Sequence, residues 1–118
     1  MITHASTWNY AEALNRTLGK DEILLQVIQS FIGDCNELVD QLFDVCNESD
    51  AEQVIFMAHS IKGMAANVGA EAFSCAAKDL EIAARQNDAE QYMALYAELN
   101  AQKHLLYKEL ELFIARVS

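Results

Sequence analysis

No proline interrupts the 118 residues of this chain, and only four glycines do. Proline and glycine are the residues that most readily end or weaken a helix, and good helix formers dominate the remainder. Runs in which apolar and polar residues alternate, as they do in half-buried strands, are absent from the sequence. The sequence therefore predicts an all-α fold in a single domain, residues 1–118, with a flexible tail over residues 1–7.

Apolar side chains recur three or four positions apart along five segments, the spacing that keeps them on one face of a helix. The predicted helices cover residues 8–18, 21–47, 51–68, 71–85 and 89–117. The apolar stripe of the second helix steps alternately by four and three residues: Leu24, Ile28, Phe31, Cys35, Leu38, Leu42 and Val45. Such a stripe is typical of helices packed at a shallow angle, and short connections favour antiparallel neighbours. We expect an antiparallel four-helix bundle with a short additional N-terminal helix across one end.

The charge of the chain disfavours two classes of partner. Eight Lys and Arg residues stand against 18 Asp and Glu residues, so the formal charge is −10. Nucleic acids and anionic membranes attract basic proteins, and both repel an acidic chain that has no cluster of basic residues. No apolar run is long enough to span a bilayer, and the first residues lack the features of a secretory signal. We therefore expect a cytoplasmic protein that binds neither nucleic acid nor membrane.

The three cysteines, Cys35, Cys46 and Cys75, are odd in number, far apart and without a Cys-x-x-Cys pair. This pattern is typical of reduced thiols that pack as small apolar side chains. A disulfide framework is not needed for stability, because a chain of this length buries roughly two thirds of its surface on folding.

One histidine lies on the polar side of the third predicted helix. With about 100° of rotation per residue, the apolar face of this helix consists of Val54, Met57, Ala58, Ile61, Met64, Ala65 and Val68. His59 lies roughly 150° from the centre of that face, so its ring should point into solvent. Lys62 and Gly63 lie beside it one turn further on, and Ile55 and Ala66 share the outer face.

The two neighbours of His59 turn an exposed histidine into a candidate site. Gly63 weakens the helix by on the order of 1 kcal/mol, yet it stands where a side chain would crowd the imidazole. Lys62 offers a cation to any group attached to the ring. An imidazole, an ammonium and a cleared surface suit a phosphoryl group. The alternatives are a solvated lysine, a glycine at a close helix crossing, and scattered surface residues at Ile55 and Ala66.

Residues 59–70, HSIKGMAANVGA, resemble the central signature of the histidine-containing phosphotransfer (HPt) domains of bacterial multistep phosphorelays. That signature is a histidine, two residues, Lys-Gly, five residues and a second glycine, which is Gly69 in this chain. The resemblance extends over residues 8–115 and implies the same five-helix arrangement that the periodicity predicts.

Outside this signature, Leu80 and Glu81 on the next helix and the region of residues 25–31 also match the family. Met64 departs from the small residue that often follows Lys-Gly, which affects packing rather than chemistry.

The resemblance implies a role for each matching residue. His59 would accept the phosphoryl group and Lys62 would stabilise its charge. Glu81 stands where family members have a polar residue that holds the histidine ring, and an ionised Glu could accept the ring N–H and leave the other nitrogen free. Gly63 would clear space for the partner. The implied docking residues are Ile55, Gly63 and Ala66.

The implied function is that of a phosphorelay intermediate in two-component signal transduction. A phosphoryl group would pass from the aspartyl phosphate of one response-regulator receiver domain to His59, and then to the Asp of another, including receivers of a hybrid sensor kinase. The protein would be a carrier and not an enzyme with an ATP site, because no phosphate-cradling glycine loop is present. We expect no cofactor or metal in the chain, Mg²⁺ on the receiver, and a monomer.

Two other functions compete with this prediction. A carboxylate-bridged metal bundle needs Glu-x-x-His on facing helices, but Phe56 and Ala101 stand three residues before His59 and His104. A bundle of the same fold could instead dock receivers or kinases as an adaptor without carrying phosphate; an acid-labile, base-stable phosphoryl group would distinguish the two. We further expect His104 to be half-buried and structural, and Trp8 to anchor the first helix.

Overall fold

The computed structural model describes residues 5–118, and every regular element in this range is helical. The elements are α1 (Tyr10–Arg16), α2 (Asp21–Asn47), α3 (Ala51–Asn67), α4 (Glu71–Arg85), a 3₁₀ turn (Ala89–Gln91) and α5 (Tyr92–Val117). The predicted all-α fold is confirmed, and the predicted bounds of α2 and α4 agree to the residue. The first helix is shorter than predicted, and the fifth opens as a 3₁₀ turn.

Helices α2 to α5 form the bundle. Helix α3 packs against α4, α4 against α5, and α2 against both α3 and α5. The N-termini of α1 and α3 are capped by side chains, because Asn9 accepts a hydrogen bond from the Glu12 N–H and Asp50 accepts one from the Gln53 N–H.

The buried stripe of α2 differs slightly from its prediction. Its buried residues are Leu24, Ile28, Phe31, Cys35, Val39, Leu42 and Cys46. Val39 and Cys46 thus take the places predicted for Leu38 and Val45, which are half-buried. The observed stripe repeats every 11 residues, from Leu24 through Cys35 to Cys46, and a straight helix follows this repeat more closely than a seven-residue one.

The segment before α1 is fastened to the corner between α3 and α4. The Trp8 indole is half-buried and donates to the Val68 carbonyl at 2.8 Å, and its ring packs edge-on against Phe113. Ser6 donates from its hydroxyl to the Glu71 carboxylate at 2.8 Å. Ser6, which belongs to the predicted tail of residues 1–7, is thus hydrogen-bonded to α4, and residues 1–4 of that tail, His4 among them, lie outside the described residues.

Two predictions of burial are wrong. Cys35 and Cys46 are buried as predicted, but Cys75 is exposed on α4. His104 is exposed rather than half-buried. Leu106 occupies the core position in this turn of α5, and a residue two positions away points to nearly the opposite side of the helix. Within residues 5–118, no helix is long and apolar enough to cross a membrane.

Candidate functional site

His59 projects from the middle of α3 with 62% of its side chain exposed. Its neighbour Ala58 and the following Ile61 are fully buried, so α3 is fixed in the bundle by the face opposite the ring. The predicted exposure of the imidazole is confirmed, and it has a simple cause: the apolar face of the helix is anchored and the ring lies on the other side.

One edge of the ring is held by the neighbouring helix. Both carboxylate oxygens of Glu81, on α4, lie close to His59 Nδ1, at 3.3 Å for Oε1 and 3.2 Å for Oε2. An ionised carboxylate can only accept hydrogen bonds, so Nδ1 must carry the proton. The other ring nitrogen, Nε2, is then left with its lone pair free.

Glu81 is almost completely buried, with 6% of its side chain exposed, and it has two cationic partners besides the histidine. The Lys62 ammonium lies 2.9 Å from Oε1. The Arg85 guanidinium donates to Oε2 from Nη2 at 2.7 Å and from Nε at 3.1 Å. The sequence predicted Lys62 beside the ring, and the structure places its ammonium on the carboxylate that holds the ring.

Arg85 was missed from the sequence, although a signal was present. An acidic residue followed four positions later by a basic one is a common pair on a helix surface, and Glu81 and Arg85 have this spacing. Such pairs are usually solvated and contribute little, so the spacing alone does not indicate a site. Here one partner is buried, which only the packing of α3 on α4 makes evident.

The electrostatics of the cluster keep Glu81 charged. Burial by itself would raise the pKa of the Glu81 carboxyl, but hydrogen bonds from Arg85, Lys62 and His59 outweigh it and lower the pKa to about 2. The carboxyl is thus ionised throughout the neutral range and remains an acceptor for His59 Nδ1–H.

The surface around the ring is open on the side of Gly63. A Cβ added to Gly63 would meet no atom within 4 Å, so this glycine does not mark a close helix crossing. Ala66 is exposed as predicted, whereas Ile55 is half-buried and packs against the core. Phe56 is 65% exposed and lies one turn before His59, where it adds a large apolar side chain that the sequence analysis did not include.

A backbone contact fixes α3 against α4 at this level. The Ser74 hydroxyl of α4 donates to the Lys62 carbonyl of α3 at 3.0 Å. This hydrogen bond helps to set the register that brings Glu81 below the His59 ring. Within residues 5–118, no group of three or more His, Cys, Asp or Glu side chains could hold a metal ion.

Comparison with known families matches residues 26–117 to the model described as Hpt domain. A comparison with curated protein sequences found no match. Among solved structures, the chain is similar to the histidine-containing phosphotransfer protein B (HptB) from Pseudomonas aeruginosa PAO1, at 20% sequence identity and a TM-score of 0.89. The alignment covers 98% of this chain and 100% of that one, so the two share their fold over nearly the whole length.

Proposed function

The chain belongs to the Hpt domain family, and on this premise we propose that it relays a phosphoryl group between receiver domains through His59. The proposal rests on the surroundings of the His59 imidazole. The His59 side chain is 62% exposed, and the ionised Glu81 carboxylate holds its Nδ1. A neutral imidazole in this tautomer presents Nε2, its nucleophilic nitrogen, to solvent. Nucleophilic catalysis requires such an activated and accessible lone pair.

In the proposed step, the Nε2 lone pair of His59 attacks the phosphorus of an aspartyl phosphate on a receiver domain. The N–P bond forms as the P–O bond to the aspartyl oxygen breaks, and the electron pair of that bond leaves on the Asp carboxylate. The Nδ1 proton stays on the ring, which becomes positively charged and faces the Glu81 carboxylate at 3.2 Å. Transfer to a second receiver is the reverse reaction, in which a carboxylate attacks phosphorus and neutral His59 leaves.

Lys62 supplies positive charge for the phosphoryl group in this proposal. Its side chain is 31% exposed, and its ammonium sits on a flexible stem that can turn from Glu81 toward Nε2. Phosphoryl transfer needs little from the protein beyond position and charge stabilisation, so an imidazole and one cation suffice on this side. The Mg²⁺ ion belongs to the receiver, and this chain uses neither a cofactor nor an ATP site of its own.

The receiver docks on the face of α3 around His59. The apolar part of this surface is supplied by Phe56 and Ala66, with Ile55 at its half-buried edge, and Gly63 leaves the space that the partner's loop needs beside the ring. A few residues near the centre of an interface contribute most of its binding energy, and aromatic side chains such as Phe56 are enriched in interfaces. We propose that the protein acts as a cytoplasmic monomer, with receiver domains as its partners.

The test is phosphotransfer from a phosphorylated receiver to the purified chain. We expect rapid labelling of the wild type, with a phosphoryl group that is lost in acid and retained in base. His59→Gln should abolish labelling, while its free energy of unfolding stays within about 0.5 kcal/mol of wild type, as for surface substitutions in general.

Labelling of the His59→Gln chain would refute His59 as the acceptor. A wild-type chain that binds receivers but takes no label would instead show an adaptor without phosphotransfer. Circular dichroism on both chains checks that the substitution has not changed the fold.

A further inference from the structure

Glu81 has more positive charge around it than orienting one histidine requires. Each carboxylate oxygen has its own cation: Lys62 on Oε1 at 2.9 Å and Arg85 on Oε2 at 2.7 Å. A hydrogen bond from His59 Nδ1 alone would fix the tautomer of the ring. The presence of two cations, Lys62 and Arg85, on one carboxylate therefore needs a physical explanation.

The reason lies in what Lys62 has to do during transfer. If its ammonium turns toward a phosphoryl group on His59, it gives up its hydrogen bond to Glu81. A buried carboxylate that loses its only cation is strongly destabilised and takes up a proton or moves. The phosphorylated ring is itself a cation beside Glu81, but the ring is neutral until the N–P bond forms. In that approach, one cation alone could not both stabilise the incoming phosphoryl group and hold the Glu81 carboxylate against the ring.

Arg85 is placed to remain on Glu81 while Lys62 moves. Arg85 and Glu81 are one turn apart on α4, so the distance between them does not depend on α3, whereas Lys62 reaches Glu81 from the other helix. The planar guanidinium donates two hydrogen bonds to one oxygen, which holds the carboxylate in a defined orientation. The lysine ammonium is a point charge on a flexible stem, and it can change partner at little cost.

We propose that Arg85 is a positioning residue for phosphotransfer, a proposal that rests on the function proposed above. It keeps Glu81 ionised and oriented below the His59 ring, and thereby frees Lys62 to alternate between Glu81 and the phosphoryl group. The hydrogen bonds of Arg85 go to Glu81 Oε2, so in this proposal it acts on the ring through Glu81.

The experiment compares Arg85→Ala, Arg85→Lys and Arg16→Ala in the transfer assay. Arg16 is a matched control, because it pairs with Glu12 four residues away at 2.8 Å, on α1 and outside the site. We expect Arg85→Ala to slow transfer about tenfold, the effect expected from the loss of one charged hydrogen-bonded pair. Arg85→Lys should restore part of the rate, and Arg16→Ala should leave it unchanged.

Two further readouts separate positioning from a general structural role. Nitrogen chemical shifts of the His59 ring report the tautomer, and the Nδ1–H form should lose population in Arg85→Ala but not in Arg16→Ala. In a Glu81→Gln background there is no carboxylate charge to compensate. Adding Arg85→Ala to that background should therefore change the transfer rate less than about twofold.

The proposal is overturned if Arg85→Ala transfers at the wild-type rate. It is also overturned if Arg85→Ala slows transfer by the same factor in the Glu81→Gln background as in the wild type. A wild-type chain that takes no label would contradict the proposed function instead. In that case the ring tautomer in Arg85→Ala still decides whether Arg85 positions Glu81, because that measurement needs no phosphoryl donor.

Discussion

Two glycines of the signature segment, Gly63 and Gly69, lie six residues apart and serve opposite purposes. Gly63 is in the helical part of α3, and a Cβ built there would meet nothing within 4 Å. Gly69 ends the helix at a φ of +76°, and a Cβ there would lie 2.6 Å from the Asn9 carbonyl oxygen. Gly63 therefore leaves open space at the surface, whereas Gly69 lies in a crowded position where the side chain of any other residue would collide.

The surroundings of the two glycines differ in the same way. At the Gly69 corner, the polar groups are satisfied within the chain: the Asn9 N–H donates to the Gly69 carbonyl at 2.8 Å, and the Trp8 indole donates to Val68. Beside Gly63, the His59 ring keeps one nitrogen for an outside partner. The corner therefore serves the stability of the fold, whereas the His59 face is left open for a reaction.

Gly69→Ala is the largest expected effect on stability. Alanine is strained in this left-handed backbone conformation, and its Cβ would also collide with the Asn9 carbonyl. We therefore expect the free energy of unfolding to decrease by about 3 kcal/mol. Urea unfolding followed by circular dichroism measures it, and Gly63→Ala is the matched control. Equal stability of the Gly69→Ala chain would show that the corner can relax, and the contrast between the two glycines would fail.

The second prediction compares the carboxylates of the two regions, Glu81 below His59 and Glu71 at the corner. Burial raises the pKa of Glu81, yet its partners lower it from the usual 4.5 to about 2, and Asn9 and Ser6 lower the pKa of Glu71. A lowered pKa means that the ionised form stabilises the fold above pH 4.5, and that this stability is lost as the pH falls toward 2.

In the wild type, the free energy of unfolding should decrease as the pH falls from about 4.5 to 2. We expect this decrease to be smaller in Glu81→Gln, which has no carboxylate to protonate at that position. Glu71→Gln should reduce it less, because that carboxylate is more exposed and its hydrogen bonds come from neutral groups. Urea unfolding across this pH range measures both variants. The same acid profile in wild type and Glu81→Gln would contradict the ionised cluster below the ring.

Gly63→Ala should have the smallest effect on stability, and in the opposite direction. Alanine favours the helix over glycine by about 1 kcal/mol, and the open space accommodates its methyl group, so the chain should become more stable. The methyl group also narrows the approach to His59, and transfer should slow on the order of fivefold. A stabilised chain with unchanged transfer would leave Gly63 without a role in docking.

Much of the fold could be predicted because local patterns decide it. The bounds of α2 and α4 follow from apolar spacing and from breaks in that spacing, and the exposure of His59 follows from its angle on the helix. Apolar spacing did not predict that Val39 rather than Leu38 is buried on α2, or that Cys75 is exposed. Both depend on how each helix is rotated against its neighbours.

The site was predicted only in part, for a related reason. His59, Lys62 and Gly63 lie on one helix, and their spacing alone brings them together. The partner of the Lys62 ammonium lies on another helix, which a spacing rule for one helix does not include. The Glu81–Arg85 pair does follow such a rule, but its importance depends on the burial of Glu81, which arises from packing between helices.

The sequence by itself determined that the chain is helical, where α2 and α4 begin and end, and which side of α3 the histidine occupies. Periodicity is a property of neighbouring residues, so it can be read along the chain. The family resemblance already implied that Glu81 holds the ring. Only the tertiary structure decided that this carboxylate is buried and also binds two cations, and that Gly69 lies against Asn9. Apart from the Glu81–Arg85 pair, these contacts join residues far apart in the chain, and the energies of all of them depend on burial, which arises only when the helices have packed.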